Sequence, residues 1–82
     1  MKLFVGMDVS LSASAVCVLS EHGKVVEEAK VASEPAALVG YLADLPHEIA
    51  AVGLEAGPLS QGLHKGLTEA GFQAVLMKTR PG

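Results

Sequence analysis

Two carboxylates stand where acids are costly. Asp8 closes the run "KLFVGMD" and Glu55 closes "AAVGLE", each an apolar stretch of strand type that ends on an acid. An ionised acid among apolar neighbours is expensive unless it is paired or bound to a metal. Should the two meet, their repulsion favours a cation between them. Mg²⁺ suits such a pair, because it takes one or two carboxylates and keeps waters or phosphate oxygens as its other ligands. Mn²⁺ accepts the same oxygen donors. Ions held in this way stabilise the attacking and leaving oxygens of phosphoryl transfer. Asp8 and Glu55 are therefore the candidate catalytic and metal-binding residues. The same positions also admit a structural role, with Asp8 capping a turn and Glu55 at the solvent edge of a sheet, and spacing alone leaves both open.

The other polar residues invite less chemistry. Ser10 follows Asp8 closely and reads as a turn residue, or else as a group that positions water or phosphate. His64 falls on a helix with no Cys or His partner at metal-ligand spacing, so packing or surface is its expected place. His22 sits in a hairpin turn and His47 follows Pro46 in a loop. Cys17 reads as a small buried apolar residue.

The elements that must position the acids follow from pattern. "KLFVGMDVS" is near-continuous in apolar residues, which marks a strand covered on both faces and central in its sheet. "SASAVCVLS" is a second strand, Ser12 to Leu19. Gly23 turns the chain into a third, "KVVEEAKVA", with Val25, Glu27, Ala29 and Val31 alternating. Its charges, Lys24, Glu27, Glu28 and Lys30, suit an edge that resists unwanted pairing. Ser33 reads as the N-cap of a helix with Pro35 in its first turn, Leu38, Leu42 and Leu45 form its stripe, and Pro46 stops it. "EIAAVGLEA" is a fourth strand. Gly57 and Pro58 start a second helix carrying Leu59, Leu63 and Leu67, with Gly71 as C-cap. Inside it Gly62 and Gly66 make either a smooth stripe for close packing or a weak helix. "FQAVLMK" is a fifth strand before "TRPG".

A fourth strand reached through a helix runs parallel to the first. Three antiparallel strands, a helix and a parallel strand are the order of a ribonuclease H-like α/β sheet. In that topology Asp8 and Glu55 come side by side on strands about 4.8 Å apart, at the carboxyl ends where ligand sites gather. The second helix begins near Glu55, and helix amino ends favour phosphate.

Composition bounds the partners. The 82 residues make a single domain portion, 1–82, half of it apolar, with only three aromatics, so Val, Leu and Ala must build the core. A mean hydropathy of +0.42 suits the inner layers of an α/β protein. A chain this short buries only about 60% of its unfolded surface. The net charge of −3 and six scattered Lys and Arg give no basic patch, so the chain by itself is expected to bind nucleic acid poorly. The single cysteine excludes an internal disulfide and suits a cytoplasmic location. No apolar run approaches the ~20 residues of a membrane span.

"FVGMDVSLSASAVCVL" followed by "VGLEAGPLSQGLHKGLTEAG" resembles the amino-terminal part of bacterial insertion-sequence transposases of the DEDD type, the IS-one-ten group. The likeness runs to about Lys78; "GLEAGPLSQ" is its most specific stretch. It implies a RuvC-like, ribonuclease H-type fold whose four acids bind divalent metal, with Asp8 matching the first and Glu55 the second. It implies DNA as substrate, a serine nucleophile from a distant carboxyl-terminal domain and a structured noncoding RNA as guide. Gly62 stands where the family often has Trp, and "KTRPG" replaces an "ETRH"-like stretch. The third and fourth acids and the serine domain have no counterpart here, so Mg²⁺ or Mn²⁺ belongs to the full-length enzyme, and this chain alone is expected to bind the metal weakly or not at all and to be inactive. Two other readings stand beside it. One is a non-catalytic module that self-associates as a homo-oligomer through surfaces the missing part would cover. The other is a sugar-kinase or actin-like nucleotide-binding domain, which the absence of glycine after Asp8 in "DVSLSAS" disfavours.

Overall fold

The computed structural model describes residues 2–55 and 59–77. In chain order these form β1 (Lys2–Asp8), β2 (Ala13–Ser20), β3 (Val25–Ala32), α1 (Pro35–Ala43), β4 (Glu48–Glu55), α2 (Ser60–Glu69) and β5 (Ala74–Met77). The strands make one sheet in the order β3-β2-β1-β4-β5. β2 is antiparallel to both β1 and β3, whereas β4 runs parallel to β1 and β5 parallel to β4. β1 is thus the central strand and β3 an edge, as the sequence predicts. The expected start of the second helix at Gly57 and Pro58 lies outside the described residues.

Local chemistry accounts for the turns. Gly23 takes φ +82, a left-handed conformation that suits glycine. Its N–H bonds the Ser20 carbonyl at 2.9 Å and closes the β2–β3 hairpin. Gly71, at φ +98, follows the end of α2. There Gly71 N–H bonds the Thr68 carbonyl and Phe72 N–H bonds the Leu67 carbonyl, both at 3.0 Å, the paired bonds of a Schellman ending. Pro35 opens α1, where its missing N–H is harmless. The N-cap, however, is Glu34 and not Ser33, and it makes no side-chain cap bond. The Ser33 hydroxyl is used elsewhere: it donates to the Ser10 carbonyl at 2.5 Å and meets the Ser14 hydroxyl at 2.8 Å.

Among the described residues the sheet is covered on one face only. Leu3, Val5 and Met7 of β1 pack with Val16, Val18, Val52, Leu54 and with Leu38, Leu42, Leu63 and Leu67 of the helices. The alternate residues of β1 face the other way, and Phe4 is 43% exposed. The expectation of a strand covered on both faces therefore fails. The run of apolar letters hid a period of two, because Phe4 is apolar without being buried and Gly6 has no side chain to show its face. Leu59 also leaves its expected stripe: it caps α2 and is 42% exposed, while Leu63 and Leu67 are buried. Leu45 follows α1 and packs on the core from the loop. The two helical glycines differ. A Cβ on Gly66 would meet the Pro35 ring at 2.6 Å, so α1 and α2 approach closely there, whereas a Cβ on Gly62 would meet nothing within 4 Å.

Candidate metal centre

The pairing register brings the two acids together. β1 and β4 pair in step from Phe4 with Ala51 to Met7 with Leu54, and the same register carried one residue further sets Asp8, the last residue of β1, opposite Glu55, the last of β4. Neighbouring strands lie about 4.8 Å apart. Met7 and Leu54 point into the core, so both acids point to the uncovered face. Both strands end there, which sets the pair at the carboxyl rim of the sheet. Glu55 is not at a sheet edge, since β5 flanks it through Met77.

The same rung extends across all five strands: Lys30, Ala15, Asp8, Glu55 and Met77. The next rung on the same face, two residues back, reads Glu28, Cys17, Gly6, Gly53 and Val75. Two adjacent glycines leave the floor below the acids low. A depression of 740 Å³ forms over these rungs, lined among others by Asp8, Glu55, Glu28, Lys30, Cys17 and Met77. A Cβ at Gly6 would meet nothing within 4 Å, and one at Gly53 would meet the Met77 methyl at 2.9 Å. Gly53 thus gives Met77 room to lie over β4 and wall the depression beside Glu55.

Short bonds hold the backbone on either side of the acids. After Asp8, the Ser10 hydroxyl donates to the Ala13 carbonyl, which is the turn role. Ser33 binds the Ser10 carbonyl through its hydroxyl and the Ser12 carbonyl through its N–H at 3.2 Å. After Glu55, the buried Ser60 hydroxyl donates to the Glu55 carbonyl and ties β4 to the start of α2. His64 plays a structural part, with Nε2 2.9 Å from the Ala74 carbonyl of β5. Cys17, expected in the core, is half-buried on the uncovered face beside Gly6.

Two oxygen donors at the mouth of an open depression fit a hard divalent cation that keeps several waters. Among the described residues no group of three His, Cys, Asp or Glu side chains is placed to hold a metal by itself. Sequence reasoning missed Lys30 and Glu28 as members of this surface, treating them as edge charges only. Counting back from Gly23 through the β2–β3 hairpin would have set Ala29 opposite Ala15; the extra residue at Val26 moves Lys30 into line with Ala15 and Asp8, and no signal in the sequence shows it.

No protein-family model matches the chain, and no curated protein matches it. A solved structure does: RuvC from Thermus thermophilus superposes with a TM-score of 0.67 at 14% identity, over 93% of this chain. This chain spans 61% of the RuvC chain. The fold is accordingly RuvC-like, a mixed ribonuclease H-like sheet with its antiparallel strands first and its parallel strands joined by helices, and at this identity the likeness is one of fold. Among the described residues no helix is long and apolar enough to cross a membrane.

Proposed function

We propose that this chain is the amino-terminal part of a DNA transposase or recombinase catalytic domain that works by metal-dependent phosphoryl transfer, and that it is inactive alone. One observation carries the reading. Asp8 and Glu55 occupy one rung on adjacent parallel strands, at the carboxyl rim and inside one depression. Mg²⁺ or Mn²⁺ between them would polarise a phosphodiester and steady its leaving oxygen. The protein's part is to hold both carboxylates on a rigid sheet, with Ser33 and Ser60 fixing the backbone beyond each. DNA and a guide RNA would engage residues beyond those that build this site, since the chain is acidic and has no basic patch.

Fluorescence anisotropy of a labelled DNA duplex tests the reading. A weak signal that needs Mn²⁺ and is lost in Asp8→Asn is expected, with no cleavage. Calorimetric binding of ATP by the chain, with no metal-dependent DNA signal, would overturn it in favour of a nucleotide-binding domain. Cleavage abolished by Asp8→Ala would overturn the statement that the chain is inactive alone.

A second reading has its own support. Phe4, Val25, Val75 and Met77 leave an apolar strip exposed on the uncovered sheet face, and contiguous exposed apolar surface marks interaction sites. Self-association of the chain through that face accounts for the strip. Light scattering checks it, and a strict monomer at high concentration would count against it.

A further inference from the structure

We propose that Lys30 is the phosphate-binding cation of the acid-pair site. The inference rests on the metal-centre reading and adds to it the group that receives the anion. Lys30 shares a rung with Asp8 and Glu55, separated from Asp8 by Ala15 alone, and lines the same depression. Two strand spacings put the Lys30 backbone about 10 Å from that of Asp8. A lysine arm covers most of that span, and the methyl of Ala15 leaves its path clear. A larger residue on β2 would block it.

Charge explains why a cation belongs there. Asp8, Glu55 and Glu28 bring three negative charges to the depression and Lys30 one positive. One divalent ion would bring that set to zero, so the site as a whole would neither attract nor repel a phosphodiester. The outcome then depends on local contacts, and among the described residues Lys30 is the cationic side chain lining the depression. Without metal its positive charge would offset the repulsion of the carboxylates from across the depression. With metal it is released toward the phosphate oxygens, for which a mobile ammonium is a suitable point charge.

The test uses calorimetry on the 82-residue chain with Mn²⁺, then with the thymidine dinucleotide TpT on the Mn²⁺-loaded protein. Lys30→Gln removes the charge at an exposed edge position, Lys30→Arg keeps it, and Lys24→Gln changes net charge outside the depression. Lys30→Gln is expected to tighten Mn²⁺ binding by about two- to fivefold, the size of one unit charge some 8 Å away in a water-rich site. It is also expected to weaken TpT binding by a similar factor. Lys30→Arg and Lys24→Gln should leave both near wild type. Unchanged TpT affinity in Lys30→Gln overturns the proposal, as does an equal loss in Lys24→Gln. If wild type binds no Mn²⁺, the acid-pair reading fails on its own. TpT binding that is then lost only in Lys30→Gln still supports the anion contact, and no TpT binding at all overturns it.

Discussion

Ser60 ties the chain down immediately beyond Glu55: its buried hydroxyl donates to the Glu55 carbonyl, across the join between β4 and α2. Ser33 does the same beyond Asp8, gripping the β1–β2 loop at the Ser10 and Ser12 carbonyls. The two acids are therefore set by backbone clamps that come from other elements.

Ser33→Ala tests the first clamp. It removes the bond to Ser10 and leaves the fully buried Ser14 hydroxyl without that partner. A loss of about 1–3 kcal/mol in urea unfolding is expected, together with weaker Mn²⁺ binding as Asp8 loosens. Ser33→Thr, which keeps the hydroxyl, should recover most of both.

The helical glycines should respond with opposite signs. Gly62→Ala adds a methyl group into open space, so the chain gains up to ~1 kcal/mol of helix propensity. Gly66→Ala drives a methyl into the Pro35 ring. Overpacking of that kind costs about 1–3 kcal/mol and outweighs the same propensity gain. Paired urea titrations compare them directly.

Alkaline stability should follow Tyr41. Burial, the hydrogen bond to Glu27 and the Glu27 charge push its hydroxyl from 10.0 up to about 12. The folded state thus holds a proton that the unfolded chain releases, so stability is full below pH 10.0 and falls as pH rises toward about 12. Tyr41 is the sole tyrosine, so tyrosinate absorbance reports it alone. Glu27→Gln should bring its titration down, and Tyr41→Phe should flatten the loss of stability across that window.

Much of this arrangement is legible in the letters. The hairpin glycine, Pro35, the Leu38 and Leu42 stripe and the helix before β4 force the strand order, and the order brings residue 8 to residue 55. What escaped reading depends on register and on side-chain competition. Lys30 and Glu28 look like edge charges because the extra residue that sets their rungs is not visible in the letters. Ser33 has the right type for a helix cap, but a buried hydroxyl on β2 and a loop carbonyl hold it instead. Phe4 and Cys17 look like core residues because hydropathy does not record which face of the sheet α1 and α2 cover. Extra residues at Ala50 in β4 and Val26 in β3 shift the pairing, and nothing in the local sequence announces either bulge.

The most direct test of the central claim is a double-mutant cycle on Mn²⁺ affinity, measured by calorimetry with Asp8→Asn, Glu55→Gln and the double variant. If one ion is shared by both carboxylates, the effects are strongly non-additive, each single change removing nearly as much affinity as the pair. Additive effects, or Mn²⁺ binding that survives both changes, would contradict the account.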